Sequence, residues 1–168
     1  LLLVAAAAVF TVNRGALNSI CTRETNYFCI RVNEDEHEGE MMQVLVLDRL
    51  VHSYSSLTNP TKLIYTYEKL FAELTAYQAQ RSNPVSALFI GGGGYTFPRY
   101  MEKIYPDSIL HVIEIDPGVT EIAYERLGLP RESRVVSYNE DARLFMTRQA
   151  TRTYDIIFGD AFNDFSVP

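Results

Sequence analysis

The rhythm of apolar and polar positions changes along the chain. Residues 1–10 are apolar without interruption, a run about half as long as the roughly 20 residues a bilayer-spanning helix needs. Residues 27–32 and 42–47 are β-prone and flank the acidic stretch 33–40. This predicts an antiparallel hairpin with a solvated acidic loop. Through residues 61–80, Leu63, Tyr67, Leu70, Leu74 and Tyr77 recur at steps of three and four. That spacing predicts an amphipathic helix whose tyrosines and leucines face the core.

After Ser82-Asn83-Pro84, short apolar runs alternate with helical stretches, the pattern of consecutive β-α units. Strands are predicted at 87–90, 111–115, 134–138 and 154–158. Pro98 falls in the first turn of the first helix, which ends near Tyr105-Pro106. Asp116 caps the second helix, Pro117 takes its first position and Gly128 stops it. The third runs from about Ala142 to Ala150. Four such units in succession predict an α/β fold with a parallel, doubly wound sheet.

The predicted organisation is therefore an apolar lead-in over 1–23, a small β-hairpin domain over 24–58 and an α/β domain over 59–168. The last of these stops after a strand-like segment, as a domain incomplete at its C-terminal side would. The lead-in reads as the end of a transmembrane helix or a signal-peptide core, with Arg14 and Arg23 on a cytoplasmic side. A helix packed on the domain is the alternative. The expected location is the cytoplasmic face of a membrane if an upstream segment spans it, and the cytoplasm otherwise.

Composition narrows the class of function. Of 168 residues, 47% are hydrophobic and 21% charged, which excludes a disordered or collagen-like chain. Fifteen Lys and Arg against 21 Asp and Glu leave a net charge of −6, so no basic excess is present to hold a phosphate backbone and no nucleic-acid partner is expected. Cys21 and Cys29 are compatible with free thiols or with one bridge; they are read here as strand packing, and the redox compartment stays open. His37 stands between Glu36 and Glu38 in what reads as a solvated tip. No metal is expected.

In a doubly wound sheet, ligands sit beyond the carboxyl ends of the strands. The first predicted strand is followed by Gly91, Gly92, Gly93 and Gly94, which let a ligand approach the backbone without a Cβ in the way. The second ends in Glu114 and Asp116, where an acidic group can accept ribose hydroxyls. Asp141, after the third strand, is placed to take an adenine amino group, with the alternative that it only caps the next helix. Asp160, after the fourth, faces the centre of the cleft. Tyr95, Phe97 and Tyr100 are read as cover for the sheet, and Asp155 as a cap or turn partner.

These residues, in this order, resemble the spermidine synthases (polyamine aminopropyltransferases). The resemblance rests on residues 46–52 (Val-Leu-Asp-Arg-Leu-Val-His), Tyr67-Glu68, Gly91 to Gly94, residues 113–117 (Ile-Glu-Ile-Asp-Pro), Glu140-Asp141-Ala142 and residues 154–160. It covers about residues 24 to 168. It implies a β-domain followed by a Rossmann-like, class I methyltransferase-type domain that binds decarboxylated S-adenosylmethionine, with an amine such as putrescine as acceptor. By this resemblance the glycine loop, Glu114, Asp116, Asp141, Ala142 and His52 belong to the cofactor side. Asp160 and Tyr67 are catalytic, and Glu68 and Asp164 face the substrate. Asp160-Ala161-Phe162 and the apolar lead-in resemble the branch fused behind membrane helices. A homodimer is compatible with it.

The chain also departs from the family pattern. Gly94 stands where an aspartate normally holds the aminopropyl ammonium, His52 replaces a glutamine, Glu68 a histidine and Asn163 an aspartate, with Asp164 one place late. In the implied reaction a neutral amine attacks a carbon beside a sulfonium. The amine starts protonated, with a pKa of about 10 like that of lysine, so a carboxylate such as Asp160 paired with Tyr67 would accept or relay its proton. Two other functions use the same pocket: methyl transfer from intact S-adenosylmethionine, and a non-catalytic nucleoside- or polyamine-binding module attached to a membrane protein.

Overall fold

A computed structural model describes residues 19–148 and 153–162; most of the apolar lead-in, and Asp164, lie outside the described residues. The chain forms two four-stranded sheets. The first is antiparallel and runs in order through β1 (Arg23–Glu24), β2 (Cys29–His37), β3 (Glu40–Leu47) and β4 (Leu50–Ser55). The expected hairpin is β2 and β3, with longer arms than the sequence suggests. His37 pairs with Glu40, so most of the acidic stretch is strand and the turn contracts to Glu38 and Gly39, both at positive φ. Backbone pairing carries the strands past the core, where Glu34, Asp35 and Glu36 point into water.

Strands β1 and β4 are additions that apolar patterning does not mark. In β4 the inward positions are Ser53 and Ser55, both buried. A Cys21–Cys29 disulfide closes the segment around β1, which corrects the reading of these cysteines as strand packing. Pairing of Glu24 with Cys29 turns the chain back on itself and sets the two Cα atoms 5.3 Å apart, within bridging distance.

The second sheet is parallel, in the order β7 (Val136–Tyr138), β6 (Ile109–Ile113), β5 (Ser86–Ile90), β8 (Ile156–Gly159). Helix α1 (Thr66–Ala79) precedes β5, and α2 (Thr96–Ile104), α3 (Pro117–Arg126) and α4 (Ala142–Arg148) form the crossovers. This is the expected Rossmann-like α/β architecture. The stops and starts read from the sequence appear as local chemistry. Asp116 accepts from the Gly118 N–H at the head of α3, and Gly128 follows its end at φ +78°, a conformation that favours glycine. Asp155 accepts from the Ser86 N–H at 2.8 Å, a turn partner as read.

Helix α1 departs from expectation in its rotation. Leu70, Leu74 and Tyr77 are 54%, 49% and 59% exposed, while Glu68 and Thr75 are buried and Phe71 packs on Phe97 and Phe158. Two adjacent stripes on this helix share the helical period, and periodicity alone does not choose between them. Thr75 tolerates the interior because its hydroxyl donates to the Phe71 carbonyl at 2.8 Å. Tyr77, read as core, instead lies outside under the Arg81 guanidinium.

One core serves both sheets, since Ile30, Leu45 and Leu47 of the first belong to the same cluster as Phe89, Val119 and Ile122 around the second. Tyr95 and Phe97 are buried in it, as expected for residues that cover the sheet. Among the described residues no helix is long and apolar enough to cross a membrane.

Candidate functional site

The site is built at the carboxyl edge of the parallel sheet. The rim is laced together by backbone bonds: the Gly91 N–H donates to Ile113 and the Asp160 N–H to Ile90, each at 2.8 Å. Gly91 sits at φ +97°, and a Cβ there would overlap the Asp160 carbonyl. The tight meeting of β5 and β8 therefore requires glycine at this position.

Glu114 organises the loop that follows. Its Oε2 accepts from the N–H groups of Gly92 at 2.8 Å and Gly93 at 3.3 Å, and its Oε1 from Asp116 at 2.9 Å. Burial pushes its carboxyl above the ordinary range, while these backbone donors pull the other way. Asn139 ties β7 to the same region by donating to the Glu114 carbonyl and to Thr120.

Three hollows meet here. A cleft of about 220 Å³ is lined by Gly91, Gly93, Glu114, Asp141, Ala142 and Asp160, with His52 reaching in from β4. Behind the glycine loop a cell of about 20 Å³ is bordered by Ser53, Glu68, Gly92, Gly94 and Asp160. A third hollow, about 300 Å³ and almost wholly apolar, lies between Leu50, His52, Tyr67, Phe71 and Asp160. Asp160 borders all three.

Asp116 is placed differently from expectation. It lies outside the lining of the cleft, and its two oxygens accept from Gly118 and from the Thr25 hydroxyl at 2.6 Å. Its role in this structure is to cap α3 and to clasp the β1–β2 turn. Asp141 also caps, accepting from the Leu144 N–H at 3.0 Å, while facing the cleft. Sequence reasoning missed Phe28, Leu47 and Glu140 in the cleft wall and Ser53 in the small cell. Glu140, beside Asp141, and Leu47, inside the 46–52 motif, carried a signal; Phe28, in the β1–β2 turn, and Ser53, on β4, did not, since no local pattern encodes how the N-terminal sheet docks.

The polar groups around Asp160 are strongly conditioned by burial. Tyr67 donates to Asp160 Oδ2 at 3.2 Å. Burial and the neighbouring carboxylate push the Tyr67 phenol far above its normal range, so it acts only as a donor. Asp160 is itself raised by burial, against the pull of the Tyr67 hydrogen bond. Glu68 is pushed up to about 7, chiefly by burial and further by Asp160, although it accepts from the Tyr65 N–H. Two carboxylates in a low-dielectric setting form a place for positive charge.

No protein-family model matches the chain. Among curated proteins it is similar to the polyamine aminopropyltransferase of Vibrio vulnificus, 33% identical over 87 residues that cover 51% of this chain and 29% of that one. It is also similar to the eEF1A lysine and N-terminal methyltransferase of Bos taurus, 32% identical over 46% of this chain and 12% of that one. The chain thus spans about a third or less of the length of these relatives. Among solved structures, the "probable spermidine synthase" of Corynebacterium glutamicum superposes with a TM-score of 0.75 at 23% identity, covering 90% of this chain and 55% of that one. Solved proteins of the same fold include complexes with SAH and with the transition state analogue AdoDATO. The curated relatives and the shared fold together support the spermidine synthase family, to which the motifs already pointed.

Proposed function

We propose that the chain carries the donor-binding part of an aminopropyltransferase that moves the aminopropyl group of decarboxylated S-adenosylmethionine onto a primary amine such as putrescine. The observation that carries this reading is the position of Asp160, which borders the cleft, the small cell and the apolar hollow while accepting from Tyr67.

The residues fit a nucleoside. Ile90, Ile113, Ile115 and Ala142 give the cleft apolar walls for a purine, with carboxylates at its edge. Glu114 accepts the ribose hydroxyls with the lone pairs its backbone donors leave over. Asp141 takes the purine amino group, and Gly91 and Gly93 admit the sulfur end close to the backbone. The donor supplies a carbon activated by a neighbouring sulfonium. Asp160 accepts the proton that the incoming ammonium must lose, and Tyr67, fixed as a donor, orients that carboxylate. The apolar hollow beside Tyr67 aligns the amine's hydrocarbon chain for in-line attack.

A second reading, methyl transfer from S-adenosylmethionine, is favoured by Gly94, which has no carboxylate, and by the methyltransferase among the relatives. Calorimetry and transfer assays separate the two. Methylthioadenosine binds, and Glu114→Ala weakens it about tenfold or more, roughly 1.4 kcal/mol. Asp160→Asn abolishes aminopropyl transfer and leaves that affinity intact. Methyl transfer without aminopropyl transfer would establish the second reading, and an unchanged dissociation constant in Glu114→Ala would remove the assignment of the cleft.

A further inference from the structure

We infer that Tyr95 is a positioning residue for Glu114, holding its carboxylate at the place where the ribose of a bound nucleoside meets it. The inference rests on the nucleoside reading of the cleft and adds to it a residue that lies outside the cleft lining.

Backbone conformation is the first argument. Tyr95 directly precedes α2 at φ +55° and ψ 23°, in the left-handed region, which a residue with a Cβ enters at a cost that glycine avoids. Gly91 and Gly93 of the same loop take positive φ without that cost. A tyrosine kept in this conformation has to be held there by its surroundings. Its side chain is fully buried, and its N–H donates to the Gly92 carbonyl at 2.8 Å. Its ring lies so close against Gly92 that a Cβ on that glycine would come within 2.6 Å of it. The ring thus backs the segment whose two amides, those of Gly92 and Gly93, donate to Glu114 Oε2.

The phenol is the second argument. Its hydroxyl donates to Ser137 Oγ on β7 at 3.1 Å and lies 3.0 Å from Thr120 Oγ1 on α3. Thr120 accepts from the Asn139 side-chain amide at 2.8 Å, and the same amide donates to the Glu114 carbonyl at 3.2 Å. A phenol has one proton, so the Thr120 hydroxyl supplies the proton between the two, and the bonds run in one direction from Asn139 through Thr120 and Tyr95 to Ser137. Burial pushes the phenol up to about 12, with Glu114 adding to the shift and Ser137 and Thr120 opposing it, so this order holds at neutral pH. Packing accounts for the ring. It does not account for a left-handed tyrosine whose contacts reach Glu114 twice, at the carboxylate through Gly92 and at the main chain through Thr120 and Asn139.

A carboxylate fits two ribose hydroxyls only while the groups behind it are locked. Loss of the phenol hydroxyl unpairs Thr120 and Ser137 from the loop and lets the ring and Gly92 shift together. The apolar walls of the cleft are untouched, so the purine is still held and the ribose contact alone is weakened.

Calorimetry with methylthioadenosine and its 2′,3′-dideoxy analogue tests this, because only the first presents hydroxyls to Glu114. The native protein is expected to prefer methylthioadenosine. Tyr95→Phe should cut its affinity by about threefold or more and leave that of the dideoxy analogue unchanged. Thr120→Val, which breaks the same chain of bonds from α3, should do likewise. In the Glu114→Ala background Tyr95→Phe should have no further effect, since the two residues act on one contact. A residue that serves only to pack the core would instead weaken both nucleosides in parallel and would add to Glu114→Ala. Parallel weakening, or no change, in Tyr95→Phe overturns the positioning role and leaves the nucleoside reading standing; should that variant not fold, Thr120→Val decides by the same criterion. Failure of methylthioadenosine to bind the native protein, or equal binding of the two nucleosides there, overturns the ribose assignment of Glu114 as well.

Discussion

At the scale of single residues, the site is governed by carboxylates that differ in what holds them. Glu114 is surrounded by backbone donors, Asp160 by one phenol, and Glu68 by little besides the Tyr65 N–H. Burial, helped by Asp160 and only partly offset by that N–H, pushes Glu68 from 4.5 to about 7. A carboxyl whose pKa is higher folded than unfolded contributes stability at low pH and loses it as pH rises through the folded value. The difference in thermal midpoint between the native protein and Glu68→Gln should therefore change between roughly pH 4.5 and 7, with the native protein losing ground as pH rises. A difference flat across that range would show that Glu68 titrates normally. Much at this scale was legible. Glu114, Asp141 and Asp160 follow strands, and their positions after apolar runs put them at one rim. Asp116 follows the same rule yet faces elsewhere, because Gly118 and Thr25 take its oxygens. Ser53 could not be read at all, since an inward serine in a strand has the same letter as an outward one.

At the scale of elements, the β1–β2 turn is the piece that links the N-terminal sheet to the site. The disulfide closes residues 21–29, Thr25 holds Asp116, Arg23 pairs with Glu125 on α3, and Phe28 forms part of the cleft wall. Replacing both cysteines by serine should cost about 2–3 kcal/mol by the loop-closure argument and weaken methylthioadenosine binding. Reductant should reproduce the effect in the native protein and have none in the variant. A bridge of this kind persists in oxidising surroundings. Unchanged melting and binding would mean that the turn holds its shape through Thr25 and Arg23 alone. The glycine loop is the second such element. Gly91→Ala places a Cβ against Asp160 at φ +97°, and should lower stability by about 1–3 kcal/mol while displacing the Asp160 carboxylate, measured as a lowered thermal midpoint and, under the proposed function, as lost transfer.

Pro117, Gly128 and the four glycines punctuate this half of the chain clearly enough that its strands and helices fall where patterning put them. The N-terminal half is less legible. Its acidic strand ends and the serine-rich β4 owe their structure to pairing with β3, which no local propensity reports. The rotation of α1 is set by Phe71 meeting Phe97 and Phe158, a contact across more than twenty residues of sequence.

At the scale of the whole molecule, one core and one buried cation unite the two sheets. Arg99 on α2 donates to the Leu127 carbonyl at the end of α3 and to the Ser56 carbonyl just past β4, each at 2.8 Å. Arg99→Met leaves both carbonyls without their donor and should cost about 2–4 kcal/mol. Circular dichroism and tyrosine fluorescence should still report one coincident transition, because the cluster spans both sheets. Two separated transitions would show that the sheets fold independently. The most direct test of the central claim, that a nucleoside lies over the carboxyl edge of the parallel sheet, is an amide shift map of the labelled protein titrated with methylthioadenosine. The account predicts that the largest shifts fall on Gly92, Gly93, Ile115 and Ala142. Shifts confined to the groove around Leu57, Arg99 and Gly128, or no shifts at saturating nucleoside, would contradict it.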